Sequence, residues 1–140
     1  MSDALEQALR VLERRERSAA EIDLHLARRG VDADEREKVL ETLARTALVD
    51  DRRYAQARAS SLARRGAGDG LIVHELVGAG VHVDIAAETV AALQAEAERA
   101  DEIVARRGAS AKTARYLAAK GFSEDVVHAV IARSRSEPLG

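Results

Sequence analysis

The sequence predicts an all-α protein built from three tandem three-helix repeats that pack as an elongated, curved array. The first reason is composition, because the chain is rich in Ala, Leu, Glu and Arg, with one proline and 2% aromatic residues. The second is a glycine motif that occurs three times, and the third is a double arginine that precedes each copy. No segment shows the alternation of apolar and polar residues that is typical of a strand.

The glycine motif predicts where one helix ends and the next begins. The pattern Leu-x-x-x-Gly-(Val/Phe)-x-x-Asp occurs at 26–34, 76–84 and 117–125. Glycine suits the left-handed position after a helix, and the apolar residue that follows it can pack back onto the finished helix. Asp32 and Ser123 then fit as N-caps of the following helices, whereas His82 at the matching position is a poorer cap.

The double arginines predict a further helix end in each repeat. They are Arg14–Arg15, Arg64–Arg65 and Arg106–Arg107, and Ser18 with Glu21 forms a capping box after the first of them. Each repeat therefore consists of a helix, a short turn, a helix, a glycine turn and a helix. We expect repeats at 1–48, 49–93 and 94–140, the last with a short disordered C-terminal tail. A period of about 45 residues is typical of helical repeats that bury a face against their neighbours.

The composition excludes several classes of function. The 22 basic and 24 acidic residues give a net charge of −2, so a nucleic-acid surface would have to be local. The absence of cysteine excludes disulfides, zinc–thiolate sites and cysteine catalysis. The N-terminus lacks an apolar signal core and no stretch is long and apolar enough to span a membrane, so we expect a cytoplasmic protein.

The candidate chemical motifs are weak, and we expect no enzyme activity, no metal site and no cofactor. The stretch 66–70, Gly-Ala-Gly-Asp-Gly, lacks the Lys-Ser/Thr of a phosphate loop and is interpreted as a flexible hinge. His74-Glu75 opens like a zinc-protease motif, but the second histidine is missing. Asp50 and Asp51 are adjacent on a helix and point in different directions, so we interpret them as helix caps.

The layout of charge is more informative. Two windows, 52–68 and 103–123, contain five basic residues each and no acidic residue. Such windows can form a local electrostatic footprint, although an arginine in a last turn can equally serve only to complement the helix dipole. Few aromatic side chains are present to stack on bases. The candidate binding residues are Arg52, Arg53, Arg58, Arg64, Arg65, Arg106, Arg107, Lys112, Arg115 and Lys120.

The assembled motifs resemble those of the regulatory protein RecX family. The most specific match is Leu48-Val-Asp-Asp-Arg-Arg-Tyr-Ala55, and similar matches occur at 72–81, 116–122 and 8–31, so the resemblance covers nearly the whole chain. Relatives usually carry basic residues just before position 72, where this chain has Gly68-Asp-Gly-Leu71. The family-motif positions, interpreted as mainly structural, are Asp50, Asp51, Tyr54, Ala55, Glu75, Leu76, Gly80, Gly121 and Phe122.

The resemblance implies three tandem three-helix repeats that modulate the RecA recombinase, usually as an inhibitor. It implies binding in the groove of the RecA–single-stranded DNA filament, which impedes filament growth and lowers ATP hydrolysis, strand exchange and coprotease activity. We expect a monomer whose ten candidate basic residues face the filament and which binds DNA weakly or within the filament. Tyr54 is expected to pack between repeats.

Two other functions remain open from the sequence. One is a general DNA-binding protein that uses three-helix modules of the helix-turn-helix kind, which would bind bare DNA tightly and with a steep salt dependence. The other is a helical scaffold for an unrelated partner, in which the arginines would serve only as caps.

Overall fold

The computed structural model describes residues 2–136, and within them all regular structure is α-helical. Residues 137–140, which include the expected C-terminal tail, lie outside the described residues. The all-α prediction is confirmed for the described part of the chain. Its helices are α1 (Asp3–Arg14), α2 (Ala19–Arg28), α3 (Ala33–Arg45), α4 (Asp51–Arg64), α5 (Asp69–Gly78), α6 (Val83–Ala91), α7 (Glu96–Arg107), α8 (Ala111–Ala119) and α9 (Glu124–Ser136).

The helices pack in three units of three. The extensive helix–helix contacts join helices within α1–α3, within α4–α6 or within α7–α9. Each unit has its own apolar core, with Ile22 and Leu26 fully buried in the first, Ile72 and Leu76 in the second, and Leu117 in the third. Because three small cores replace one large core, the joints between units must contribute to stability.

The glycine turns form as the repeated motif predicts. Gly30, Gly80 and Gly121 have φ angles of +82°, +88° and +92°, which are in the left-handed region. In each turn the N–H after the glycine donates to the carbonyl of the motif leucine, at 3.0–3.1 Å. Both features define a Schellman motif, so the pattern Leu-x-x-x-Gly-(Val/Phe) encodes the end of the second helix of every unit.

The predicted N-caps are confirmed as well. The Ser18 and Glu21 side chains form a capping box at the start of α2. Asp32 accepts from the Glu35 N–H at 2.9 Å and Ser123 accepts from the Val126 N–H at 3.3 Å. His82 is the cap residue of α6, where its Nδ1 accepts from the Asp84 N–H at 3.1 Å.

The two joints between units have the same geometry. The start of a second helix packs on the glycine turn that ends the second helix of the next unit. In the first joint, the Ser18 hydroxyl donates to the Ala79 carbonyl at 2.5 Å. In the second, the Gly68 N–H donates to the Lys120 carbonyl at 2.8 Å and the Gly70 N–H to the Gly121 carbonyl at 3.0 Å.

Carboxylates from the following unit complete each joint. Asp51, the first residue of α4, accepts from the Ala19 N–H at 2.9 Å. Glu96, the first residue of α7, accepts from the Asp69 N–H at 2.6 Å and from the Ser123 N–H at 3.2 Å. Asp50 caps α4 itself, so the adjacent carboxylates of Asp50 and Asp51 serve two different helices in two different units.

The interpretation of Gly66–Gly70 as a flexible hinge is wrong. Gly68 and Gly70 are fixed by hydrogen bonds to the backbone of the third unit, and a Cβ at Gly68 would collide with the backbone of Phe122. The close approach of two backbones leaves no room for a Cβ at Gly68 and little room for one at Gly70.

Replacing Gly121 by alanine should test the requirement for this close approach, with Gly30 as the matched control. Both glycines have positive φ, so either replacement should lower the free energy of unfolding by about 1–2 kcal/mol. A Cβ at Gly30 meets nothing within 4 Å, whereas one at Gly121 collides with the backbone of Leu71. Urea denaturation should therefore show a further loss of about 1–3 kcal/mol in Gly121→Ala only. Equal losses in the two variants would contradict a close-packed joint.

Candidate functional site

Three of the ten candidate basic residues are paired with acids that come from other elements. Arg52 lies 2.5 Å from Glu88 of α6. Arg53 lies 2.8 Å from Glu16, in the connection between α1 and α2, and Arg58 lies 3.7 Å from Glu75 of α5. Hydrogen bonds to these carboxylates raise the pKa of Arg52 and Arg53. The fold therefore brings acids from elsewhere in the chain next to arginines of the acid-free window 52–68.

The other seven candidates have no ion pair within the described part of the chain. All are exposed except Lys120, which is half-buried. The guanidinium of Arg107 lies over the ring of Tyr116, 3.6 Å from its centroid, so these two side chains form a cation–π pair. The seven are Arg64, Arg65, Arg106, Arg107, Lys112, Arg115 and Lys120.

A groove of about 730 Å³ lies between the first and second units. Its walls carry charges of both signs, with arginines from α4 and from the end of α1 facing glutamates of both units. Tyr54 lines this groove and is only 4% exposed, between Arg15 and Glu21 of the first unit and the core of the second. Burial, reinforced by the Glu21 carboxylate, raises the pKa of the Tyr54 phenol.

A second groove, of about 360 Å³, lies between the second and third units. Arg64 from the end of α4 and Arg106 from the end of α7 both line it. Glu102 is the acid in its lining, and its carboxylate accepts a hydrogen bond from Gln94 at 3.1 Å. A Cβ placed on Gly66 would lie 3.6 Å from the Tyr116 hydroxyl and 3.8 Å from Lys120 Cε, so the end of α4 also faces α8.

Arg99 is a structural residue that the sequence analysis missed. It is 7% exposed, donates to the Ala67 carbonyl at 2.8 Å and the Gln94 carbonyl at 3.0 Å, and pairs with Asp69. It also lies over the Phe122 ring. A signal was available, because Arg99 occupies the same helical face as the buried residues Ala100, Ile103 and Val104.

At this joint, the surroundings of Asp69 act on its pKa in opposite directions. Burial and the nearby Glu96 carboxylate raise the pKa of Asp69, while the paired Arg99 acts in the opposite direction. Arg99 thus fixes the second joint by holding two backbone carbonyls and a carboxylate that would otherwise lack a charged donor.

The described residues contain no group of three or more His, Asp or Glu side chains that could hold a metal ion. None of the described helices is long and apolar enough to cross a membrane. What the surface does offer is exposed arginines along two grooves, which suits the binding of an anionic partner.

Replacing Arg99 by methionine should destabilise the protein strongly. The change keeps the bulk but removes every donor to Ala67, Asp69 and Gln94, which should cost about 3 kcal/mol of unfolding free energy. Arg133→Met is the control, because Arg133 pairs with Asp101 in the same manner but on the exposed surface. Its cost in the same urea titration should stay within about 1 kcal/mol. A small loss in Arg99→Met would contradict a structural role for the buried guanidinium.

The raised pKa of Tyr54 predicts a loss of stability at alkaline pH. The unfolded chain releases this phenolic proton near pH 10 while the folded chain retains it, so the free energy of unfolding falls as pH rises above about 10. The Tyr116→Phe variant leaves Tyr54 as the single tyrosine, so ultraviolet absorbance titration reports its pKa alone. A pKa at or below that of free tyrosine would show that the phenol is not buried. Tyr54→Phe should remove this part of the alkaline loss.

Comparison with known proteins agrees with the architecture and the motifs. The family model described as "RecX, first three-helix domain" matches residues 4–43. The chain is 34% identical to the "Regulatory protein RecX" of Halorhodospira halophila, covering 89% of this chain and 84% of that protein. It is 36% identical to the "Regulatory protein RecX" of Chromohalobacter salexigens, covering 89% of each.

Solved structures show the same fold. A crystal structure of RecX from Lactobacillus salivarius matches with a TM-score of 0.80 at 20% identity, covering 94% of both chains. A second RecX crystal structure matches with a TM-score of 0.78 at 22% identity, covering 91% of this chain and 70% of that one. Since the similarity to named relatives extends along nearly the full length, this chain belongs to the RecX family of regulatory proteins.

Proposed function

We propose that this protein binds the RecA–single-stranded DNA filament, in its groove, and inhibits filament growth. Inhibition of growth lowers ATP hydrolysis, strand exchange and coprotease activity, and requires no catalysis by the inhibitor. The mechanism is differential binding, in which the protein favours capped or disrupted states of the filament over growing ones. Membership of a family of regulatory proteins supports this proposal.

The observation that carries the proposal is the set of seven basic side chains that have no ion pair with any described residue, on a protein with a net charge of −2. Most of the acids near the grooves are already occupied by Arg53, Arg58 or backbone amides, so the exposed arginines are available to an anionic partner. The grooves between units give these charges an extended surface, as repeat arrays use when they bind large partners.

Reversing the charge of Arg64 and Arg65 should weaken the inhibition of RecA. The chain supplies a matched control, since Arg28 and Arg29 occupy the same positions in an identical Ala-Arg-Arg-Gly string. In both pairs the first arginine ends a helix and the second is its C-cap. Changing either pair to glutamate therefore alters the net charge and the helix end equally.

The measurement is the ATPase of RecA on single-stranded DNA, with circular dichroism to show that each variant is folded. We expect roughly tenfold more of the Arg64→Glu/Arg65→Glu protein to be needed for half-inhibition, corresponding to about 1.4 kcal/mol of binding. The Arg28→Glu/Arg29→Glu protein should inhibit as the wild type does. Undiminished inhibition by the first variant would exclude this surface from the interaction with the filament.

The same assay separates the proposal from general DNA binding. The affinity of the protein for the bare strand is measured in parallel at two salt concentrations. If the filament is the target, the ATPase falls at protein concentrations too low to coat the DNA. Inhibition that begins only once the DNA is saturated would show competition for the strand and support a general DNA-binding protein.

A further inference from the structure

The first helices of the three units are α1, α4 and α7. Their C-terminal ends lie along the two grooves, and the arginines at these ends form a row. Arg15 at the end of α1 and Arg65 at the end of α4 both line the first groove. Arg64 and Arg106, at the ends of α4 and α7, both line the second groove. The consecutive arginines at the end of α4 thus line different grooves, and each groove has helix-end arginines from both of the units that flank it. We call Arg15, Arg65, Arg64, Arg106 and Arg107 the arginine row.

The arginine row is not held in place by hydrogen bonds to the helix ends. Among the described residues, no guanidinium of the row hydrogen-bonds a carbonyl of the helix that it ends. The Arg15 side chain donates to the Glu16 carbonyl, which lies beyond α1. The row is also exposed along its whole length, which leaves these groups free to contact a partner.

Most of the acids along the row already have a partner. In the first groove, Glu16 pairs with Arg53 and Glu75 with Arg58. Glu21 accepts from the Ser18 N–H at 3.0 Å and lies 3.8 Å from Arg15. In the second groove, Glu102 accepts from the neutral Gln94 amide and leaves one carboxylate charge beside Arg64 and Arg106. The other four members of the row, from the end of α4 to the end of α7, have no ion pair among the described residues and outnumber this acid.

We propose that the sugar–phosphate backbone of one nucleic-acid strand runs along the arginine row and crosses both grooves. A line of arginines with one or two per unit matches a linear polyanion, whose phosphates a guanidinium fork binds in bidentate geometry. At the third unit, the exposed guanidinium of Arg107, stacked on Tyr116, provides a plane on which a base can stack. This plane favours a nucleic acid over an acidic protein surface. The inference rests on the proposed function, in which the strand is the DNA of the filament.

The test is the salt dependence of binding to a fluorescein-labelled oligothymidylate, measured by fluorescence anisotropy. Each phosphate contact on a single strand contributes roughly −0.7 to the slope of log K against log salt, so Arg64→Gln/Arg106→Gln should make the slope shallower by about 1.4. Arg28→Gln/Arg29→Gln removes the same charge outside the row and should leave the slope unchanged. Equal effects in the two variants, or none, overturn the inference. So does the absence of salt-dependent binding by the wild type at low salt.

The stacking plane has its own measurement. The Tyr116→Leu variant should lose more affinity for the oligothymidylate than for an abasic strand of equal length, because only the former has bases to stack. Equal losses on the two strands would remove the plane from the proposal and leave the phosphate contacts to be decided by the slopes.

The RecA ATPase of the same variants distinguishes failure of this inference from failure of the proposed function. If Arg64→Gln/Arg106→Gln retains the wild-type salt slope but no longer inhibits RecA, the row contacts the RecA protein. In that case the strand assignment is overturned and the proposed function stands. If the variant shows the shallower salt slope but the wild-type protein does not inhibit RecA, the strand assignment stands and the proposed function fails.

Discussion

The close packing of a helix start against a glycine turn at each joint is the constraint on which the rest of the structure depends. Each unit has a small core and is too short to be very stable alone, so its position is fixed by what it packs against. At both joints the contact is between a helix start and a glycine turn, with Gly80 against Ala20 and Gly121 against Leu71. This contact sets which helix ends share a groove, and therefore where the exposed arginines meet.

The two joints reach the same geometry with different chemistry. The first uses small side chains and a serine hydroxyl, with an exposed ion pair between Arg53 and Glu16 beside it. The second replaces the serine by Gly68, adds direct backbone hydrogen bonds, and buries Arg99 against Asp69. The Gly68–Leu71 stretch is therefore occupied by the joint. The exposed arginines lie at the ends of α4 and α7.

Local features of the fold follow from the sequence because they depend on residues a few positions apart. The turn at Gly30 and the caps at Ser18 and Asp32 are of this kind, and their patterns predict them directly. The pairing of Arg52 with Glu88 is not, because it joins residues 36 positions apart on helices whose contact depends on the fold. The burial of Arg99 and the divergence of Arg64 and Arg65 into separate grooves likewise depend on the packing of one unit against the next.

The same dependence explains how a chain with net negative charge can present a basic surface. Net charge counts every acid equally, whereas the field at a binding surface depends on the charges that lie within roughly a Debye length of it, about 8 Å at physiological salt. Asp51 and Glu96 are held at the joints by backbone amides, and Glu16 and Glu75 pair with Arg53 and Arg58. Packing thus decides which acids lie beside which arginines, and the arginines that end α4 and α7 have no ion pair among the described residues. In this repeat array, the packing of neighbouring units consequently determines two things. It determines which interactions hold the units together, and it determines which charges remain exposed to a partner.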